Sequence, residues 1–296
     1  MSEKKHKAGF VNIVGNPNVG KSTIMNALVG EKISIITSKS QTTRHRIMGI
    51  VSGEDFQIVY SDTPGVVRPQ SKLHESMLKF SRSALEDADV LLYVTDVVEK
   101  FDKNPDFLNK VKNTDAKILL VINKIDLADQ TSVMVLIEKW QKLLPDALII
   151  PASATNNFNM DAVLQKIIEF LPESPPYFPK EQLTDKTERF FVQEIIREKI
   201  LLHYSKEIPY AVEIEVEMFK EEERLIRIKS LIHVERDSQK GIIIGKRGEA
   251  LKRVATEARK DIEAFFDKKV FLEVFVKVSK DWKNKSRSLK NFGYES

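Results

Sequence analysis

One run near the N-terminus constrains this chain more than any other: Gly15-Asn16-Pro17-Asn18-Val19-Gly20-Lys21-Ser22, followed by Thr23. It follows an apolar, β-branched stretch at 9–14 and opens a segment, 21–29, whose apolar spacing predicts a helix. A strand, a glycine-bounded loop and a helix in that order wrap successive backbone N–H groups around an anion at the positive end of the helix dipole. In such a loop Lys21 faces the terminal phosphates and the Ser22 hydroxyl ligates Mg²⁺.

The rest of the first half has the rhythm that this loop demands. Strand-like runs at 57–61, 90–96, 117–123 and 147–151 alternate with helical periodicity at 73–86, 106–112, 133–143 and 160–170. That alternation predicts an α/β domain with a mostly parallel sheet over residues 1–171. Four prolines between Pro172 and Pro179 interrupt it, and residues 172–186 are expected to be an extended, stiff connection. Beyond lies a different order: helix (187–204), strand (211–218), strand (225–235), short helix (239–244), long helix (249–266), strand (270–278). Residues 187–279 therefore read as a smaller α+β domain, with 280–296 as a basic-aromatic tail.

Three further segments sit where a nucleotide site needs them. Asp62-Thr63-Pro64-Gly65 ends a strand; Asp62 suits Mg²⁺, and the Gly65 backbone can approach a γ-phosphate. Asn123-Lys124-Ile125-Asp126 ends another strand. The Asp126 carboxylate can accept both N1–H and N2–H₂ of guanine, whereas adenine would leave it unpaired. Asn123 braces the loops and reaches the base edge, Lys124 lies along its face, and a backbone N–H of Ser153-Ala154 meets guanine O6. In the polar stretch Gln41-Thr42-Thr43-Arg44, one threonine is placed to ligate Mg²⁺ when GTP is bound and to let go after hydrolysis.

Composition excludes several classes. With no cysteine, disulfide frameworks and thiolate metal centres are ruled out, and the five histidines show no ligand spacing. No apolar run reaches the roughly 20 residues of a membrane span. The net charge of +4 is uneven: residues 231–296 hold 16 Lys/Arg against 10 Asp/Glu, so an anionic partner is expected there.

Taken in order, 15–22, Thr42/Thr43, 62–65, 123–126 and 153–154 resemble the five G motifs of the translation-factor-related GTPases. The phosphate loop as written and Gln41-Thr-Thr-Arg-His-Arg46 resemble the Era group of bacterial GTPases in particular. That resemblance spans nearly the whole chain. It implies a P-loop GTPase domain followed by a type II KH domain, with GTP/GDP and Mg²⁺ bound by residues 15–23, 62–66, 123, 124, 126, 153 and 154. Ser22, Thr43 and Asp62 are the expected metal ligands, and Lys21, Asn18, Thr42, Thr43 and Gly65 the expected catalytic set. Val66 stands where Ras-like enzymes place the glutamine that orients the attacking water, so unaided turnover is expected to be slow. Asn18 resembles the asparagine that holds a potassium ion near the phosphates in related GTPases.

In the second domain, Ile242-Ile243-Ile244-Gly245-Lys246-Arg247-Gly248 lies between two expected helices. Two glycines three apart allow a nucleic-acid backbone to come close, and Lys246 and Arg247 add charge. The surrounding element order resembles a type II KH domain, which implies RNA binding by residues 242–248 and by Arg253 on the next helix. Ile242–Ile244 could line the base groove or pack the core. Trp282 and Tyr294 of the tail could stack bases or pin the terminus. The expected function is a GTP-hydrolysing switch that binds small-subunit ribosomal RNA and acts in small ribosomal subunit assembly. The expected state is a cytoplasmic monomer, with peripheral contact at the inner face of the membrane as a further expectation. The competing readings are an RNA-binding scaffold with negligible turnover and a peripheral-membrane signalling GTPase.

Overall fold

Strand β1 (Lys7–Gly15) is buried over most of its length on both faces, so it must lie inside a sheet covered on both sides. The computed structural model describes residues 5–39, 41–65, 69–99 and 105–295 and shows such a sheet. Its strands run in the order β2-β3-β1-β4-β5-β6, where β3 is Phe56–Asp62, β4 Val90–Asp96, β5 Lys117–Asn123 and β6 Leu148–Pro151. All neighbours are parallel except β2 (Ile47–Ser52), which pairs antiparallel to β3 through a hairpin closed by Gly53 N–H to Phe56 O at 2.8 Å.

Helices α1 (Lys21–Val29), α2 (Lys72–Glu86), α3 (Pro105–Lys112), α4 (Gln130–Leu143) and α5 (Met160–Phe170) alternate with the strands. Ala84, Phe107, Val111 and Trp140, from α2, α3 and α4, close over Leu91, Tyr93, Leu120 and Ile122 on one face. The intervening residues Leu92, Val94, Leu119 and Val121 are equally buried, which accounts for the continuous apolar runs of these strands. Strand β2 was not anticipated from the sequence. It is short and partly exposed, and it directly follows the polar stretch 41–46.

By their contacts the described residues within 1–34, 43–69 and 77–185 form one unit, and those within 35–42, 70–76 and 186–296 another. The proline-rich segment, expected as an extended, stiff connection, groups with the first unit as far as Asp185. Gln57, fully buried, takes the N–H groups of Tyr177 and Phe178 on Oε1 (2.7 and 2.9 Å) and donates Nε2 to Phe178 O (2.8 Å). Beyond the prolines, Ile50 N–H donates to Leu183 O (2.8 Å) and Thr184 Oγ1 to Met48 O (2.7 Å), so the segment shields the edge of β2.

In the second unit, α6 (Glu188–His203), α8 (Asp237–Ile244) and α9 (Glu249–Phe266) pack on one face of a three-stranded sheet, β7-β8-β9. Strand β7 (Glu213–Glu221) is antiparallel to β8 (Leu225–Val234), and β9 (Lys269–Val278) is parallel to β8, the arrangement of a type II KH fold. A single turn, α7 (Ile208–Ala211), precedes β7 and takes Ala211 out of the expected strand. The tail is structural. Trp282 is wholly buried and donates Nε1 to Ala211 O (3.1 Å), and Leu289 of α10 (Ser286–Asn291) is likewise buried. Tyr294 OH donates to Glu213 Oε2 at 2.6 Å. Both aromatic rings are committed to packing, so base stacking by Trp282 or Tyr294 is set aside.

Candidate functional site

The nucleotide-type motifs converge at the C-terminal ends of β1, β3, β5 and β6. The loop after β1 turns through Gly20, whose φ is 96° and where a Cβ would lie 2.2 Å from Asn123 Nδ2. Only glycine allows both the left-handed backbone and that approach. The approach matters because Asn123, 3% exposed, joins three loops: Nδ2 donates to Val19 O (2.9 Å), and Oδ1 accepts Ala154 N–H (3.1 Å). Gly65 is set against the same loop; a Cβ there would fall 2.8 Å from Pro17 Cα. Thr63, fully buried, donates Oγ1 to Ile13 O at 2.8 Å and holds this segment at the head of β1.

Lys21 is folded back over the loop, donating Nζ to Asn16 O (2.8 Å) and Gly15 O (3.1 Å). Burial lowers its pKa to about 8, against the opposing pull of Asp62 and Glu99. Asp62 is fully buried at the end of β3. Its Oδ2 accepts the hydroxyls of Ser22 (2.7 Å) and Thr43 (3.2 Å). Its Oδ1 is buried with no partner among the described residues. Burial pushes this carboxyl above the usual range, against the Ser22, Ser34 and Thr43 hydroxyls and the Lys21 charge. A buried carboxylate with an orphaned oxygen beside two hydroxyls fits a hard divalent cation with oxygen ligands, as Mg²⁺ requires.

The two threonines separate. Thr43 Oγ1 lies 2.9 Å from Ser22 Oγ, whereas the Thr42 hydroxyl is taken up locally by Thr37 Oγ1 (2.7 Å) and Lys39 O (2.6 Å). Thr42, expected in the catalytic set, is therefore not brought to the site. Thr23 lies half-buried on α1, and Val66 is outside the described residues.

On the base side, Lys124 has a left-handed φ of 60° and donates Nζ to Asn18 O (2.6 Å) and Asp96 Oδ2 (2.5 Å). Ile125 N–H donates to Ala152 O (3.3 Å), which leaves Asp126 at the open side of the turn and exposed. Ser153 and Ala154 are buried behind it. Asp96 and Glu99, at the end of β4, were not singled out from the sequence. Neither belongs to a spaced motif, and only the parallel pairing of β1 with β4 brings them here.

In the second unit the loop from Gly245 to Gly248 joins α8 to α9, with Lys246 and Arg247 exposed. A Cβ on Gly245 would lie 2.6 Å from Ala250 Cβ, whereas one on Gly248 meets nothing within 4 Å. The first glycine thus serves packing, and only the second leaves space for a ligand. The isoleucines divide likewise. Ile243 is fully buried, so its side chain belongs to the core and is withdrawn from the expected RNA-binding set. Ile242 is 49% exposed, and Ile244 packs partly against the core. Arg253, on the outer face of α9, is held by Glu257 and by His203 Nδ1 (2.6 Å).

Fold and site together define a P-loop GTPase with a C-terminal KH domain. A family model described as a 50S ribosome-binding GTPase matches residues 10–124, and one described as a KH domain matches residues 207–283. GTPase Era of Staphylococcus haemolyticus (strain JCSC1435) is 44% identical over 292 residues, covering 98% of each chain. GTPase Era of Geotalea uraniireducens (strain Rf4) is 46% identical over 297 residues, covering 100% of both. A crystal structure of Era in complex with MgGDPNP and nucleotides 1506–1542 of 16S ribosomal RNA matches with a TM-score of 0.94 at 36% identity, over 98% of this chain and 100% of that one. A single-residue variant of Aquifex aeolicus Era bound to GDP·AlF₄⁻ matches with a TM-score of 0.93 at 36% identity, over the same shares. This chain belongs to the Era family of GTPases.

Proposed function

We propose that this GTPase is a switch that binds GTP with Mg²⁺, hydrolyses it, and holds the 3′ region of small-subunit ribosomal RNA during small ribosomal subunit assembly. The observation that carries the reading is the match, over 98% of the chain, to a relative solved with MgGDPNP and nucleotides 1506–1542 of 16S ribosomal RNA. The family model that speaks of the 50S subunit matches residues 10–124 only and stops short of the KH domain, so the full-length relative is the better guide to the RNA.

Residues 15–23 cradle the phosphates, with Lys21 neutralising β- and γ-oxygens. Ser22, Thr43 and Asp62 would hold Mg²⁺, which would supply charge stabilisation during γ-phosphoryl transfer. Gly65 offers its backbone N–H to the γ-phosphate. Asn123, Lys124, Asp126 and the 153–154 backbone select guanine. When GTP is hydrolysed, Thr43 loses its reason to stay, and residues 35–42, directly upstream in the chain and grouped with the KH unit, are released with it. The Gly245–Gly248 loop, Ile242 and Arg253 form the RNA-facing side of that unit.

Val66 cannot orient water, so turnover is slow until a partner or a cation assists. By its resemblance to the potassium-holding asparagine of related GTPases, Asn18 would hold potassium, whose positive charge would act on the transition state as an arginine finger does. Hydrolysis is accordingly faster in potassium than in sodium, and Asn18→Ala removes the difference; equal rates in the two salts would remove potassium from the reading. The protein acts as a cytoplasmic monomer. No helix among the described residues is long and apolar enough to cross a membrane. Crosslinking to total RNA in the GTP-bound state tests the assignment: the 3′ end of small-subunit RNA is enriched. Enrichment elsewhere would sink the assembly role and leave the GTPase standing.

A further inference from the structure

The end of β4 carries a carboxylate that the nucleotide-site motifs do not include. Asp96, buried at the last position of the strand, accepts Val98 N–H (2.9 Å) and Glu99 N–H (2.7 Å) on Oδ1, so the chain folds back on itself there. That turn sends the Glu99 side chain towards the phosphate loop, where Oε2 accepts Asn16 Nδ2 at 3.0 Å. The Thr95 hydroxyl donates to Oε1 and holds the second oxygen. The same Asp96 binds Lys124 of the base-side loop through Oδ2 (2.5 Å), and Lys124 reaches Asn18 O (2.6 Å). One short turn thus ties the base-side loop to the first half of the phosphate loop, at Asn16 and Asn18, and its tip carries a carboxylate whose charge acts on Lys21.

Two consequences with opposite signs follow. As a hydrogen-bond acceptor, Glu99 fixes Asn16 and with it the carbonyls of the loop's first turn, which favours a preformed phosphate cradle. As an anion beside a site for anions, it opposes the bound phosphates and more so as their charge grows. The site needs neither effect to recognise guanine, but both bear on how long a nucleotide stays.

We infer that Glu99 is a positioning residue that sets the rate of nucleotide release, holding the phosphate loop through Asn16 while its charge works against the phosphates. Glu99→Gln keeps an oxygen to accept from Asn16 and removes the charge. Glu99→Ala removes both. The inference rests on 15–22 being the phosphate site.

The test is the release rate of fluorescently labelled GDP, with affinities for guanosine, GMP and GDP measured beside it. Glu99→Gln slows GDP release by about three- to ten-fold, a range set by a charge in a partly screened site. The gain is absent for guanosine, grows from GMP to GDP, and shrinks with added salt. Glu99→Ala releases GDP faster than Glu99→Gln. Release from Glu99→Gln at the wild-type rate or faster, or an equal gain for guanosine and GDP, overturns the charge role. Identical rates for the two variants overturn the positioning role. Failure of the unsubstituted protein to bind GDP would instead overturn the site assignment itself, so the two failures are distinguishable.

Discussion

Asp126→Asn lowers the affinity for GDP by roughly 10⁴-fold and transfers it to xanthosine diphosphate. In guanine, N1–H and N2–H₂ are both donors, and a carboxylate accepts both. The asparagine amide turns one acceptor into a donor, so it meets the N2 amine donor to donor, and that loss is of the kind a polar recognition site amplifies. Xanthine carries a carbonyl oxygen in place of the amine, and the amide donor then finds an acceptor. The fold does not stand in the way, because Asp126 is exposed at the open side of its turn. The turn itself is held by others: Ile125 N–H on Ala152 O, and Asn123 bridging Val19 and Ala154. Titration of the variant with both diphosphates checks this. A GDP affinity within ten-fold of the unsubstituted protein would show that Asp126 does not read the base.

The contrast between Asp126 and Glu99 shows what was legible in the sequence. Asp126 belongs to a spaced motif at a strand end, and the guanine edge explains each residue type in it. Glu99 belongs to no such pattern; its role arises from a turn made by Asp96 and from the pairing of β4 beside β1, both of which are tertiary facts. The parallel sheet could be read because buried central strands are continuous apolar runs; β2 was missed although Ile47-Met48-Gly49-Ile50-Val51 is itself mostly apolar, because it is short and directly follows the polar stretch 41–46. Thr42 and Thr43 are chemically identical neighbours, and only their bonds tell them apart: Thr42 to Thr37 and Lys39, Thr43 to Ser22 and Asp62. For Gly245 the sequence showed a glycine but not its cause, which is a left-handed backbone and the Ala250 methyl at the start of α9. Trp282 and Tyr294 had two compatible uses on composition alone. The acceptor groups Ala211 O and Glu213 decide for packing.

Replacing Lys246 and Arg247 together by aspartate weakens RNA binding by about 100-fold or more at moderate salt and leaves GTP hydrolysis without RNA unchanged. Both side chains are exposed, and neither supports the core that Ile243 and Val254 share beneath the loop. Arg247 sits at φ 54°, in the left-handed region that aspartate tolerates better than most residues, so the loop keeps its shape. What changes is charge: two cations facing a phosphate backbone become two anions. For single-stranded RNA each phosphate neutralised contributes about 0.7 to the slope of log K against log salt. If both side chains meet phosphate, the variant's slope is therefore shallower by about 1.4. A salt titration of RNA affinity thus separates lost phosphate contacts from a damaged domain, since a domain that no longer folds binds at no salt concentration. An affinity within about three-fold of the unsubstituted protein, with an unchanged slope, would place the RNA elsewhere on the KH unit. Intact hydrolysis in the same variant shows that the first unit turns over GTP without the loop through which the second holds RNA.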